Sequence, residues 1–332
     1  MNAIGVSNMV DVMIVGSGPA GLSCAIEARK AGLSCIILEQ GGVADAIRRF
    51  PTNLVWFSTA ELLEVGGVPF VVPTTRPTRM DTMNYYQRVV HHFHLEIRTS
   101  CRVSAAQRMG SGFEVKTDSG ESFQGRTVIL ATGYFDHPNR IGVSGEDLPH
   151  VFHYYDEPFR YHGTDVIVVG GRNSAVEAAL DLYRHGARVT LVHRGVKLSE
   201  GVKYWILPDI ENRIKQEQIR GLFGVTVERI APGCVALRTP EGTKEVKADF
   251  VFILVGFNPD TELLTSFGIR LDPETLAPCT NQETLETNIP GLFVAGSVVA
   301  GKNNNKIFVE NGRLHAFQII PAVQQRLGEG LS

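Results

Sequence analysis

Residues Asp11 to Gly21 read DVMIVGSGPAG, and this stretch limits the possible folds more tightly than any other. Asp11–Val15 is an apolar run of strand length that empties directly into Gly16-Ser17-Gly18-Pro19-Ala20-Gly21. An alanine-rich helical pattern follows from Leu22 to Ala31. Strand, tight turn and helix in that order form the context in which G-x-G-x-x-G holds a dinucleotide. Gly16 permits the turn, Gly18 lets a pyrophosphate approach the backbone, and Gly21 lets helix and strand pack closely. The free N–H groups of the helix start then face the phosphates. A second strand, Cys35–Leu38, ends in Glu39 about 20 residues on, where a carboxylate can take ribose hydroxyls. Gln40 and Gly42 follow in a flexible turn placed where a second phosphate loop would lie.

Downstream, the segment Phe50–Ser58 mixes aromatic rings with hydroxyl and amide groups. Such a mixture suits the surroundings of a flat heteroaromatic ring, with Asn53 and Phe57 as contacts, and equally suits a core-facing loop. Pro73–Pro77 is a loop, and Arg79–Phe93 has helical spacing with Met83, Tyr86, Val90 and Phe93 on one stripe. His91, His92 and His94 have no carboxylate or cysteine partner at ligand spacing, so they read as a helix end before a strand. Leu95–Ile97 and Cys101–Ala105 are strand-like, the latter carrying Val103 as a candidate cofactor contact, and Phe113–Thr117 with Glu121–Phe123 is a hairpin. Thr127–Gly133 is a buried strand ending in Ala131-Thr132-Gly133, where the chain must turn tightly beside a bound nucleotide.

The pattern then restarts. Asp165–Val169 is a strand, Gly170-Gly171-Arg172-Asn173-Ser174-Ala175 a phosphate turn, and Val176–His185 a helix ending at Gly186. Arg172 occupies the second glycine position: pointing inward it would obstruct a pyrophosphate, and pointing outward its guanidinium could hold a phosphate. The next strand, Arg188–Val192, ends in His193-Arg194 with Lys197 nearby, not in an acid. Cations there accommodate the 2′-phosphate of NADPH; a solvated basic loop is the alternative. Helical Ile206–Ile219 and strands at 225–229 and 234–238 fill out this unit, which closes at Asp249–Gly256.

Near the C-terminus, Gly291–Gly296-Ser297 is another buried strand with a glycine end, Lys302–Lys306 is a polar lead-in, and Ile307–Arg326 is mostly helical. A helix start here, around Lys306 and Ile307, would favour the negative charge of a reduced flavin ring. The first nucleotide domain therefore closes only at the end of the chain. The expected fold is α/β: two Rossmann-like, three-layer ββα dinucleotide-binding domains, the second inserted in the first. Residues 1–140 and 260–332 form the outer domain and 141–259 the inserted one.

Composition narrows the partners. A length of 332 residues suits two domains, and a formal charge of −3 gives no reason to expect nucleic acid or an anionic membrane surface. No apolar stretch reaches about 18 residues, and the start MNAIGVSN lacks the basic-then-apolar design of a signal peptide, so the cytoplasm is expected. The five cysteines, Cys24, Cys35, Cys101, Cys234 and Cys279, include no C-x-x-C pair. That excludes a sequence-adjacent redox dithiol and a cysteine-rich zinc site, and no catalytic cysteine or metal is expected.

In its order of parts the chain resembles the thioredoxin reductase-like flavoproteins. ATGYFDHPN at 131–139, VSGEDLPHVFHY at 143–154, GGRNSAVEAAL at 170–180, KYWILP at 203–208 and AGKNNNKIFVENGR at 300–313 together resemble the bacillithiol-disulfide reductase (YpdA-type) family. The resemblance runs over nearly the full length. It implies FAD in the outer domain and NADPH in the inserted one. It further implies hydride transfer from NADPH to FAD, then reduction of a low-molecular-weight disulfide, bacillithiol disulfide-like, or a related acceptor. Gly16, Ser17, Gly18, Pro19, Ala20, Gly21, Glu39, Gln40, Gly42, Asn53, Phe57, Val103, Ala131, Thr132, Gly133, Gly296, Ser297, Lys306 and Ile307 would hold FAD. Gly171, Arg172, Asn173, Ser174, His193 and Arg194 would hold NADPH. Glu310 and His315 read as capping or core residues, not a proton relay.

Two positions depart from the family pattern. Ala20 stands where the family usually has cysteine, and Ser297 stands where the superfamily has an aspartate that holds a flavin ribitol hydroxyl. Two other functions compete with disulfide reduction, the first of them suited to Ala20. One is a ferredoxin- or flavodoxin-NADP+ reductase, which needs no protein thiol. The other is a flavin-binding redox sensor with little turnover. The acceptor would be a small-molecule disulfide or a small redox protein, and a homo-oligomer is expected.

Overall fold

Every residue from Val12 to Val15 is buried, and strand geometry sends alternate side chains to opposite faces. Val12 and Ile14 pack into a helical layer with Leu22, Ile26 and Tyr86. Met13 and Val15 pack on the other face with Phe113, Val115, Phe123 and Leu264. A strand buried on both faces belongs in the middle of a parallel sheet. Val10–Val15 accordingly pairs in parallel with Cys35–Leu38 on one side and Ser122–Leu130 on the other.

The computed structural model describes residues 9–110, 112–303 and 306–329. The MNAIGVSN start and Asn304–Asn305 of the polar lead-in lie outside the described residues. One compact unit runs to His137 and resumes at Asn258; the other is Pro138–Phe257.

Among the described residues the first unit carries a seven-stranded sheet. Its order is Ile97–Arg98, Cys35–Leu38, Val10–Val15, Ser122–Leu130, Gly112–Thr117 and Val103–Met109, with Leu292–Val294 added beside Ser122–Leu130. The expected separate strands at 121–123 and 127–130 are one strand, antiparallel to Gly112–Thr117 and parallel to Val10–Val15. Gly125 between them is no turn. A Cβ there would lie 2.8 Å from the Met13 side chain, so the glycine marks close packing.

Helix Arg79–His92 starts at a capping box in which Thr78 and Asp81 satisfy each other's backbone N–H groups. Its buried face is Thr82, Tyr85, Tyr86 and Val89, rotated from the expected stripe of Met83, Tyr86, Val90 and Phe93. The tyrosines decide the rotation: the Tyr85 hydroxyl donates to the Val68 carbonyl at 2.8 Å and the Tyr86 hydroxyl to Leu63 at 3.0 Å. A buried phenol needs such a partner.

In the second unit a parallel sheet runs in the order Arg220–Phe223, Arg188–His193, Asp165–Val169, Phe250–Ile253 and Val151–Phe152. Val166 and Val168 face the helix Asn173–Arg184. Ile167 and Val169 face an antiparallel ribbon, Thr226–Ala231, Cys234–Thr239 and Gly242–Lys247, through Val227, Val235, Leu237 and Val246. The three layers are therefore helix, parallel sheet and antiparallel sheet. The expected helix at 206–219 is shorter, Leu207–Lys215. Glu217 takes a left-handed conformation (φ 58°) that ends it, and Arg220 opens an edge strand.

The C-terminal segment forms Val309–Gly312, a tight turn at Arg313–His315, and helix Ala316–Glu329 with Pro321 inside. No helix among the described residues is long and apolar enough to cross a membrane.

Candidate dinucleotide sites

The first glycine turn divides its labour as the motif requires. Gly16 has φ 102°, and a Cβ there would lie 2.6 Å from the Ala131 carbonyl oxygen. A Cβ at Gly21 would lie 2.0 Å from the Gly16 carbonyl oxygen and 3.3 Å from the Ala131 methyl. Gly18, by contrast, would meet nothing within 4 Å, so the approach to the backbone is open there. Helix Pro19–Lys30 starts immediately afterwards with proline in its first turn, leaving the N–H groups of its start directed at that opening.

Several distant residues converge on this turn. A Cβ at Gly296 (φ 75°) would sit 2.8 Å from the Ala20 methyl, and one at Gly133 (φ 68°) would sit 3.6 Å from Ser297 Oγ. Gly16, Ala20, Gly21, Ala131, Gly133, Gly296 and Ser297 are thus neighbours. Thr132 Oγ1 is buried beside them without a hydrogen-bond partner. Gly312 packs against Gly296, 3.2 Å from its Cα for an added Cβ, and equally close to Ile307. His315 Nδ1 accepts a 3.0 Å bond from the Gly296 N–H; burial pulls the His315 pKa below its ordinary value.

Glu39 is buried, and its carboxylate already works within the protein. One oxygen accepts from the Ser17 N–H (2.7 Å) and hydroxyl (2.8 Å), the other from the Gly41 N–H (2.7 Å). Ser17 Oγ in turn accepts from the Ala44 N–H. A carboxylate has about four lone-pair sites, so Glu39 fastens two loops and keeps acceptor capacity for a ribose hydroxyl. Gln40 is exposed beside it, and Gly42 is open to an added Cβ.

The remaining expected contacts are less alike. The Val103 side chain belongs to the core, which leaves its backbone as the group able to face a ligand. Asn53 and Lys306 are exposed, and Phe57 is exposed with the Arg76 guanidinium 5.7 Å above its ring. The loop around them has two sides. Phe50 and Trp56 pack inward, with Phe50 edge-on to Phe135 at 5.0 Å, while Val55 and Phe57 face outward. Buried Ser58 donates to the Glu310 carboxylate, tying this loop to the C-terminal segment.

The second glycine turn differs in detail. Gly170 has φ 148°, and a Cβ there would lie 2.5 Å from the Leu254 carbonyl oxygen. Arg172 is exposed, so its guanidinium does not plug the turn, and Ser174 is exposed next to it. Asn173, an expected cofactor contact, has its amide engaged within the chain instead. Nδ2 donates to the Gly201 carbonyl at 3.1 Å and Oδ1 accepts from the Lys203 N–H at 2.9 Å. His193 lies against the glycine turn itself. Its ring is packed so close to Gly171 that an added Cβ would lie 2.4 Å from it. Burial, aided by Arg194, lowers the His193 pKa. Arg194 is exposed beside it.

Sequence reasoning passes over Gly312, Ala44 and the anchoring of residues 199–203. An Asn-Gly pair inside a helical run is the one available signal for Gly312. Ala44, left-handed at φ 55°, carries none.

A strand–glycine turn–helix in each of two compact units defines a dinucleotide-binding α/β protein. More particularly, the chain belongs to the pyridine nucleotide-disulphide oxidoreductase family, whose model matches residues 13–296. Within it the chain groups with the bacillithiol-disulfide reductase (YpdA-type) flavoproteins. It is 41% identical over 317 residues to the bacilliredoxin reductase Bdr of Bacillus subtilis, covering 95% of this chain and 97% of that protein. The solved bacillithiol disulfide reductase Bdr (YpdA) from Bacillus cereus matches with a TM-score of 0.94 at 37% identity, over 96% of this chain and 100% of that one. A ferredoxin–NADP reductase from Ignicoccus hospitalis is 25% identical over 319 residues, 93% of this chain and 96% of that protein. The chain is accordingly an oxidoreductase dependent on FAD and NADPH. The open backbone at Gly18, the helix start behind it and the unpartnered Thr132 hydroxyl fit a bound FAD.

Proposed function

We propose that this enzyme reduces a low-molecular-weight disulfide of the bacillithiol disulfide class with electrons from NADPH. The observation that carries the reading is the end-to-end match with the Bacillus cereus bacillithiol disulfide reductase, in a chain with no C-x-x-C pair of its own. When bound, the nicotinamide and flavin rings supply the hydride and electron transfer.

The chain's own residues bind and orient. Gly16, Ser17 and Pro19 shape the turn around the FAD pyrophosphate, the Gly16 N–H being held by the Leu38 carbonyl and the Ser17 N–H by Glu39, while Gly18, Ala20 and Gly21 present their backbone N–H groups to it. Glu39, Gln40 and Gly42 serve its adenosine ribose, and the Val103 backbone its base. Ala131, Thr132, Gly133, Gly296, Ser297, Lys306, Ile307, Asn53 and Phe57 serve the flavin half. Thr132 is the hydroxyl whose hydrogen-bonding capacity FAD would complete. In the second unit Gly171, Arg172 and Ser174 hold the NADPH pyrophosphate, Arg194 the 2′-phosphate, and Asn173 positions the loop over them. The same reading puts the enzyme in the cytoplasm, as a homo-oligomer.

A second reading, a reductase of ferredoxin or flavodoxin, is favoured by Ala20, because a one-electron carrier needs no protein thiol. Anaerobic stopped-flow measurements separate the two. NADPH is expected to bleach the flavin absorbance, and bacillithiol disulfide to restore it faster than oxidised ferredoxin or flavodoxin does. Faster reoxidation by the protein carriers selects the second reading. A flavin that never bleaches leaves only a redox sensor.

A further inference from the structure

Arg76 is exposed and pairs with no carboxylate among the described residues. Its guanidinium lies over the exposed Phe57 ring, 5.7 Å from the ring centre. A guanidinium in that position spends its flat face on the ring, while its N–H donors, which lie in its own plane, stay available to another partner. The root of the side chain is fixed. The Thr74 hydroxyl donates to the Arg76 carbonyl at 2.8 Å, and the following Pro77 restricts Arg76 to extended backbone. The Pro77 carbonyl in turn accepts from the Trp56 N–H at 2.9 Å, and Val55 forms an antiparallel bridge with Thr78. Residues 55–57 and 76–78 are thereby fastened side by side.

Both ends of the loop that carries Phe57 are tied to residues around the flavin half of the first unit. At one end the Phe50 ring meets Phe135 edge-on at 5.0 Å, two residues beyond Gly133. At the other, Ser58 donates to Glu310 in Val309–Gly312, and Gly312 packs against Gly296. Phe57 is next to Ser58, so Phe57 and the Arg76 guanidinium over it stand at the exposed border of that half. An acceptor that approaches from this side meets the guanidinium. The planar fork of arginine matches a carboxylate with two parallel hydrogen bonds, and bacillithiol disulfide carries carboxylates on its malyl groups.

We propose that Arg76, steadied by Phe57, binds a carboxylate of the acceptor and gives the enzyme a preference for acidic disulfides over neutral ones. The inference rests on the reading of this enzyme as a reductase of low-molecular-weight disulfides.

The test compares dithiodipropionate, which carries carboxylates, with the neutral hydroxyethyl disulfide of similar size, and both with bacillithiol disulfide. The wild-type enzyme is expected to show the higher kcat/KM on the acidic disulfides. Arg76→Ala should cut that preference about tenfold, through KM, as the loss of one charge-assisted hydrogen-bonded contact predicts. Arg76→Glu should cut it further, and Arg76→Lys should keep part of it, since an ammonium retains the charge without the fork. Added salt should shrink the preference of the wild type and leave that of Arg76→Ala in place. The dissociation constant of dithiodipropionate from the oxidised, FAD-loaded protein, read from the flavin absorbance, should rise by the same factor in Arg76→Ala. Wild-type preference and affinity in both Arg76→Ala and Arg76→Glu would overturn the proposal. It is overturned too if the loss is confined to reoxidation by ferredoxin or flavodoxin, which would make Arg76 a contact for a protein carrier. A wild-type enzyme that is bleached by NADPH and reduces no disulfide defeats the disulfide reading instead, and the binding titration then still decides the role of Arg76.

Discussion

A methyl group at Gly21 would lie 2.0 Å from the Gly16 carbonyl oxygen, while one at Gly18 would meet nothing within 4 Å. Two glycines of a single motif therefore have opposite physical reasons to be glycine. Gly21→Ala forces helix Pro19–Lys30 away from strand Val10–Val15, and overpacking of this kind costs about 1–3 kcal/mol. Gly18→Ala strains nothing in the protein, but its methyl group stands where a pyrophosphate must approach the backbone. Gly21→Ala should melt at a lower temperature than wild type both with and without FAD. Gly18→Ala should keep the melting temperature of the apoprotein and emerge from gel filtration with less flavin. Differential scanning fluorimetry and the flavin-to-protein absorbance ratio measure both. A common loss of apoprotein stability would refute the distinction.

Among the elements, the segment from Val309 to Glu329 shows how a helix end can govern a distant loop. His315 Nδ1 must be unprotonated to accept the Gly296 N–H, and burial favours the same neutral form. His153 and His193 are also held below the ordinary histidine value, in each case chiefly by burial. For these three the unfolded chain takes up a proton first as pH falls. Their stabilisation is present above the unfolded-state value and is lost as pH drops from there towards the folded-state values. His137 acts the other way: its hydrogen bond to Asp260 raises its pKa, so its stabilisation is present at low pH and fades as pH rises through the raised value. Three depressed groups against one raised group predict a melting temperature that falls between pH 7 and pH 5. His315→Gln keeps an acceptor for Gly296 and removes the titration. Its melting curve should show a shallower pH dependence than wild type, and an identical slope would show that His315 contributes nothing to it.

Elements with a strong local signal can be read in advance, and those defined by partners cannot. DVMIVGSGPAG and DVIVVGGRNSA carry strand, turn and helix start in adjacent residues, and the structure folds them so. The face of helix Arg79–His92 is legible only to within one position, because two tyrosine hydroxyls choose carbonyls on another segment. Gly242–Lys247 is exposed at every residue except Val246, so no apolar run announces that strand. The bonds from Asn173 to Gly201 and Lys203 connect residues 28 and 30 positions apart, across a helix and a strand, and nothing in the local composition of either segment encodes them.

The whole chain distributes its five thiols in a way that bears on how it delivers electrons. Cys24 is fully buried, and burial pushes its pKa up to about 12. Burial also raises Cys35 and Cys101. These three are held as thiols, not the thiolates that attack disulfides. Cys234 is half-buried in the antiparallel ribbon of the second unit, and Cys279 is the exposed one. The helix-start position that usually carries the family's cysteine is Ala20, whose methyl packs toward Gly296. A disulfide acceptor would then have to take its electrons without first forming a mixed disulfide with this chain. NADPH-driven reduction of bacillithiol disulfide should therefore survive alkylation of the reduced protein with iodoacetamide, and should be unchanged, within about twofold in kcat/KM, in Cys279→Ser. Mass spectrometry of acid-quenched turnover mixtures should find no adduct of bacillithiol on the chain. An adduct on Cys279, with activity lost on alkylation and in Cys279→Ser, would show that a thiol outside the glycine turn replaces the one missing at Ala20.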